Sequence, residues 1–455
     1  MANGTISERL AAIVQSITYD KLPPSTVRQV KMAVLDLFGA YFAGYALKSG
    51  QAVKEYIATL DGPSGATFWG TGARGPASEV AFANTAVSHV TVFDDMHAAS
   101  ASHYGSMVVP AGLAVAEEQG SGGKELIVAL VAGYEAGIRV GTATFTPYFA
   151  KLGFRPSGSF GAFATASATG RLKKLNHDQM TRALGLAANL GVGLMAFANE
   201  GTDDLMYQNA FAARNGVLAA ILAGNGASAP RRVFEIDGGY CMAYAGTREG
   251  MDKIGEEDPD HYKIDEVYFK AIPSCAFVQS AAQAALRIIQ EPGLKVGDIE
   301  KINVRIFPQG KHYPGLDFCG PYEGIMQAQM SNPFTIASIL VNGRIRFEDF
   351  TRLDDQAVES LAAKINIMDD EEAAAQWPVK QLAKVEMFMK DGSCRKAVSE
   401  NPQFLDEEGV LSKFRTYAAE HLGSAAAEEF VATVQGLENV SNIADLMRII
   451  PRRQQ

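Results

Sequence analysis

Residues 122–143 read GGKELIVALVAGYEAGIRVGTA, and the fold turns on whether this run is a core helix or a membrane span. Gly133, Gly137 and Gly141 recur every four residues, so they fall on one side of a helix and let a second helix approach closely. The apolar stretch Leu126–Gly133 is soon followed by Glu135 and Arg139, short of transmembrane length. A helix packed inside a helical core fits best.

Outward from this run, towards both ends, the pattern continues. Ser7-Glu8-Arg9-Leu10 opens one helix, and Pro24-Ser25-Thr26 precedes another whose apolar face is Val30, Val34, Leu37 and Phe38. RALGLAANLGVGLMAF (182–197) and NAFAARNGVLAAILAGNG (209–226) read as further apolar helices. From about residue 265 the texture changes. Residues 300–306 alternate like a strand, and 383–398 read as a hairpin around Asp391-Gly392, the dipeptide that suits a type I′ turn. Between them FTIASILVNGRI (334–345) and DDQAVESLAAKINIM (354–368) read as helices, and after about 405 the chain returns to helix. The predicted fold is mainly α with an α+β insertion. A large all-helical domain is built from residues 1–265 and 405–455, and a smaller α+β lid domain from 266–404.

The chain has 455 residues, enough for a sizeable core and two or three domains, with 47% hydrophobic and 20% charged residues. A net charge of −10 without a long basic run argues against nucleic acid or an anionic membrane as partner. It leaves room for a small anionic substrate held by a local cluster of cations. Cys241, Cys275, Cys319 and Cys394 are far apart, with no CxxC pair, so neither zinc nor a disulfide framework is signalled. The first residues, MANGTISERLAAIVQSI, lack the basic-then-apolar pattern of a signal peptide, and a cytoplasmic, reducing setting is expected. Gly70-Thr71-Gly72-Ala73-Arg74-Gly75 matches GxGxxG, with Asp94 about twenty residues on. The preceding ATFW is too short for a central parallel strand, and Pro76 follows the third glycine. A turn into a helix at Pro76 explains the motif without a nicotinamide or flavin.

The densest acid–base chemistry lies in FDDMHAASASHYG (93–105), which holds Asp94, Asp95, His97 and His103. A metal is disfavoured: adjacent aspartates point apart, and the HxH or HxxxH spacing that aims two imidazoles at one ion is missing. His103 sits in a Ser-His-Tyr-Gly turn before an apolar helix, where a ring can face a cleft and act as general base. Asp94 and Asp95 suit turn or capping roles. Arg155, in a Pro/Gly/Ser turn before a helix of small residues, is a candidate carboxylate clamp. Lys270, Ser274 and Cys275 lie in FKAIPSCAF at the domain change, where clefts form; core packing suits Cys275 better than nucleophilic attack.

Six segments in order resemble the MmgE/PrpD family: SHVTVFDDMHAASASHYGSMVVPAGLA, AGYEAGIRVG, GFRPSGSFGAF, AARNGVLAAILA, KAIPSCAFVQSAAQAA and SNPFTIASILVNG. The resemblance spans nearly the whole chain and implies a helical domain with an inserted lid, a homodimer, and no metal or organic cofactor. It implies activities such as 2-methylcitrate dehydratase, cis-aconitate decarboxylase or iminodisuccinate epimerase. Several polar positions depart from the family pattern. Val92 stands where the dehydratases and decarboxylases carry Asp, Met96 for Thr, Arg155 for His, Leu205 for Lys, Gln279 for His and Phe334 for Tyr. His103 is retained.

A histidine, an arginine and a lysine around a cleft suit removal and return of a proton beside a carboxylate. The expectation is therefore a cofactor-independent epimerase of the iminodisuccinate type, acting on a small dicarboxylate. His103 is the proposed base, Lys270 and His97 are candidates for the second acid/base, and Arg155 and Lys270 hold carboxylates. Asp95, Ser274 and Gln279 are further candidate substrate contacts. A hydro-lyase or decarboxylase is the alternative, and a non-catalytic polycarboxylate-binding protein a third reading.

Overall fold

The computed structural model describes residues 4–191, 193–258 and 261–450. The helix Gly123–Thr144 lies at the centre of the helical unit, buried along almost its whole length. It packs on Pro156–Leu172, which in turn packs on Leu205–Gly224. Glycine is required for the first contact: a Cβ on Gly137 would stand 2.6 Å from the Tyr104 ring and 2.7 Å from the Ala164 methyl. By length and composition this helix could cross a membrane, but what surrounds it is protein. Its two buried charges, Glu135 and Arg139, are paired within the fold. Arg139 Nε meets Glu135 Oε1 at 2.5 Å. The other Glu135 oxygen accepts from the Lys263 backbone N–H at 2.9 Å, and Arg139 also donates to the Glu256 carbonyl. The buried pair thereby ties down the chain leading into the second unit.

The last helices return to the first. Glu407–Leu422 packs along Pro24–Gly44, and one apolar core runs from Ile6 to Phe269 and resumes at Val410. A second core runs from Ile272 to Met389, and Val92, Phe197, Ala198 and Leu205 of the helical unit join it. The molecule is thus mainly α with a small α+β part.

The α+β unit holds a four-stranded sheet, in spatial order Ile365–Asp369, Ile299–Ile306, Ala383–Met389 and Cys394–Ser399. The first pair is parallel and the others antiparallel. Gln279–Ile289 packs on the last two strands and Asn332–Asn342 on the first. The hairpin turns at Asp391-Gly392, where Gly392 has φ +83°. Two predicted helices need correction. Gln356–Ala362 is helical, but Ile365–Asp369 is a strand, because Ile365 and Ile367 pair beside Ile302 and Val304. The helix over 182–197 stops at Ala187, and Val192 lies outside the described residues. Around Gly193 (φ +108°) the backbone bonds to a neighbouring segment instead: Arg155 N–H to the Gly193 carbonyl, and Met195 N–H to the Gly153 carbonyl. The GxGxxG stretch is the bend between two-residue antiparallel strands, Ala66–Thr67 and Arg74–Gly75, and is not the strand–turn–helix of a dinucleotide site.

Candidate active site

The site begins where Ala77–His89, a helix with no exposed residue, delivers His89 into the interior. The chain then turns sharply. Val92 adopts φ +48°, a left-handed conformation that costs a β-branched residue about 1–3 kcal/mol. Three side chains from distant parts of the sequence hold that turn by its carbonyls. Gln329 Nε2 donates to Thr91, Lys270 Nζ to Val92, and Lys413 Nζ to Phe93. Lys413 is itself paired with buried Asp36 at 2.7 Å, and Gln329 also reaches the Pro273 carbonyl at 3.1 Å. These bonds offset the strain and fix the direction of the next two residues.

Asp94 and Asp95 leave the turn in different directions. Asp94 Oδ2 accepts from His89 Nδ1 at 2.9 Å, and its Oδ1 lies 3.6 Å from His103 Nδ1. The Asp95 carboxylate accepts from the Tyr134 hydroxyl at 2.6 Å and from the Gly105 N–H at 2.8 Å, at the start of helix Gly105–Gln119. The Asp95 carbonyl accepts from His103 Nδ1 at 2.8 Å. A carbonyl only accepts, so His103 carries its proton on Nδ1 and presents a lone pair at Nε2. That nitrogen has no hydrogen-bond partner among the described residues. The His103 side chain keeps 11% exposure, whereas His89 and Asp94 have none.

Arg155 closes the cluster. Its Nη2 donates to His89 Nε2 at 2.6 Å, and its Nη1 to Asn209 Oδ1 at 2.5 Å and to the Leu205 carbonyl at 3.2 Å. All three acceptors are uncharged, so a buried guanidinium lacks a direct carboxylate partner among the described residues. Asn209 continues through Ser106 to the His103 carbonyl, and Ser157 accepts from the His103 N–H.

The electrostatics follow from burial. Burial drives His103 well below its usual value; Asp94 opposes this, while Lys270, His89 and Arg155 add to it. His89 is lowered mainly by burial as well. Burial would raise Asp94, but His89, His103 and Lys270 outweigh it and hold the carboxyl below the usual range. Burial and then the Asp94 charge push Asp95 up to about 7. Burial lowers Lys270 to about 8 and Arg155 to about 10, so both are cationic at neutral pH. At that pH the site offers a neutral imidazole beside two cations and one ionised aspartate.

Ligand atoms of His89, Asp94 and His103 lie within 4.8 Å of one another, close enough to converge on a metal ion. The charges oppose one. Arg155 occupies His89 Nε2, and the Lys270 charge acts on Asp94. An anion suits this pocket better than a cation.

The structure therefore brings His103, Arg155 and Lys270 together, and it places the other predicted residues in the surrounding framework. His97 has both ring nitrogens engaged, by Ser100 at 2.8 Å and Glu266 at 2.9 Å. Gln279 closes the 272–279 turn, bonding the Ile272 carbonyl at 2.8 Å and N–H at 3.2 Å, with the fully buried Ser274 beside it. Asp95 is buried with both carboxylate oxygens taken, and its carbonyl holds His103. Sequence reasoning passed over His89, Gln329 and Lys413, and read Asp94 as a turn former. The signal for His89 was a histidine five residues before Asp94, in the run SHVTVFDD.

A neutral histidine with a bare Nε2 thus stands beside two buried cations where the helical and α+β cores meet. The MmgE/PrpD N-terminal domain matches residues 8–250 and the MmgE/PrpD C-terminal domain residues 272–439; the chain belongs to the MmgE/PrpD family. It is 26% identical to a cis-aconitate decarboxylase of Aspergillus terreus, over 99% of this chain and 96% of that protein. It is 22% identical to the cis-aconitate decarboxylases of Mus musculus and Homo sapiens, over 98% of this chain and 93% and 94% of theirs. These relatives bear the name of a lyase, not of an epimerase.

Proposed function

We propose that the protein is a lyase acting on a small di- or tricarboxylate, with His103 Nε2 as the group that takes or returns a proton at a carbon beside a carboxylate. The observation that carries this reading is the His103–Asp95 bond, which fixes the tautomer and leaves Nε2 free. Arg155, buried without a carboxylate partner, supplies the anchor for one substrate carboxylate. Lys270 meets the negative charge that develops as the carbon loses its proton or its carbon dioxide. In a dehydration, His103 takes the proton, the C–H pair forms the double bond, and hydroxide leaves with a proton from Lys270. In a decarboxylation, carbon dioxide leaves its electron pair on the carbon, and cationic Lys270 delivers the proton that quenches it, with neutral His103 beside it. The lyase names of the relatives support this class over the epimerase expected from sequence.

One observation favours epimerisation as a second reading. Val92, Met96, Leu205 and Phe334 are all buried apolar residues where the family resemblance places polar ones. Inversion of an iminodisuccinate-type centre needs proton removal and return but no leaving-group acid. Proton NMR in deuterated water separates the two. The protein is incubated in turn with cis-aconitate, a 2-hydroxytricarboxylate and an aspartate-derived dicarboxylate. The lyase reading expects carbon dioxide or an alkene from one of the first two. Deuterium wash-in with inversion of the third, and no bond cleavage in the others, would replace the lyase with the epimerase.

A further inference from the structure

We infer that Asn209 is a positioning residue that holds Arg155 without neutralising it, and so commits this subsite to a carboxylate. The inference rests on the anchor role given to Arg155 above and deepens it. Asn209 is fully buried on helix Leu205–Gly224, about one turn after Leu205. Arg155 Nη1 donates to both residues, to Asn209 Oδ1 at 2.5 Å and to the Leu205 carbonyl at 3.2 Å. On its other side Asn209 Nδ2 donates to Ser106 Oγ at 2.9 Å, and Ser106 Oγ donates to the His103 carbonyl at 3.0 Å.

These bonds fix both the direction of the amide and the residue type. A guanidinium only donates, so the amide oxygen must face Arg155. The Ser106 hydroxyl has one proton, and the His103 carbonyl takes it, so Ser106 needs a donor on its other side. An amide meets both demands. A carboxylate meets only the first, and it would neutralise the guanidinium before any substrate arrived. The remaining direct contacts of Arg155 are uncharged as well. Nη2 meets the His89 ring at 2.6 Å, and the guanidinium carbon lies 5.4 Å from the Phe197 ring centroid. Asp94 and Asp204 act on it only from beyond ion-pair distance. A buried guanidinium held by neutral groups needs an anion from outside. An aspartate at 209 would fill the same space and remove that need.

Calorimetric titration with tricarballylate, a saturated tricarboxylate, tests this without requiring turnover, on variants shown to be folded by circular dichroism. Asn209→Ala loses both side-chain bonds but adds no charge, and should weaken binding about fivefold at most. Asn209→Asp keeps the bond to Arg155 and adds a negative charge, and should weaken binding about 100-fold or more. A residue that only braces the fold predicts the reverse order, because alanine removes more bonds than aspartate does. Equal weakening, or alanine as the worse variant, would overturn the inference. So would a loss of about 100-fold in Asn209→Ala, which stays decisive even if Asn209→Asp does not fold. Arg155→Gln tests the anchor separately and should weaken binding as much as Asn209→Asp. Unchanged binding there, or no binding to the wild-type protein, would sink the anchor and this inference with it. Weakening there with equal effects of the two Asn209 variants would sink this inference alone. The expected order without turnover of any lyase substrate would sink the lyase class and leave the inference standing.

Discussion

The helical wall of the site and the α+β wall use different kinds of interaction. On the helical side, side chain meets side chain: His89 bonds Asp94 and Arg155, and Asn209 and Ser106 link Arg155 to the backbone of His103. On the α+β side, Lys270 and Gln329 grip backbone, the carbonyls of Val92 and Thr91. Lys413, from helix Glu407–Leu422, treats Phe93 in the same way. The helical side thus builds the network around His103, whereas Lys270, Gln329 and Lys413 hold the strained turn that aims Asp94 and Asp95, with Lys270 also adding its charge to the site. Substitutions in the network and at the turn should fail differently.

The largest effect belongs to the base. His103→Asn keeps a donor for the Asp95 carbonyl but has no lone-pair nitrogen, and turnover should fall about 10²–10⁴-fold with the fold intact. Retention of full activity would move the base elsewhere and erase the distinction between the walls. Asp94→Asn should act on stability instead. It removes the anion that His89, His103 and Lys270 share, and should cost about 3–5 kcal/mol in a denaturant titration. A cost below about 1 kcal/mol would show that Asp94 is not held as a paired buried anion at neutral pH. Gln329→Ala should be the mildest. It leaves the Thr91 and Pro273 carbonyls short of a donor, at about 1–3 kcal/mol, with a smaller fall in turnover as the turn relaxes. If instead turnover fell as far as in His103→Asn, the turn that Gln329 holds would be part of the chemistry itself rather than its support.

Much of this could be read in the sequence because it is local. The glycine spacing in 122–143 requires a helix packed closely on neighbours, and Asp391-Gly392 places its hairpin. His103 and Arg155 each announce themselves by a turn before a helix of small or apolar residues. What escaped is non-local. Lys413 sits in VLSKFRTYAAEHL, where a lysine reads as surface, and its partner Asp36 is 377 residues away. The counter-signal was Asp36 itself, an aspartate amid KMAVLDLFGAYFAG. Gln329 finds its carbonyl 238 residues away. Ile365–Asp369 reads as helix from sequence because a short apolar run has no decisive period; strand Ile299–Ile306 beside it decides the matter.

The most direct test of the central claim is a pH titration of His103 by nitrogen-15 NMR, with the imidazole nitrogens labelled. The account predicts a neutral ring at pH 7, with the proton on Nδ1, a lone pair at Nε2, and titration only well below the usual histidine value of 6.5. The base form, and with it any activity that begins with proton abstraction, should therefore persist into acid solution and be lost as the pH falls through that depressed value. A proton on Nε2 at pH 7, as the other tautomer or as imidazolium, would contradict it.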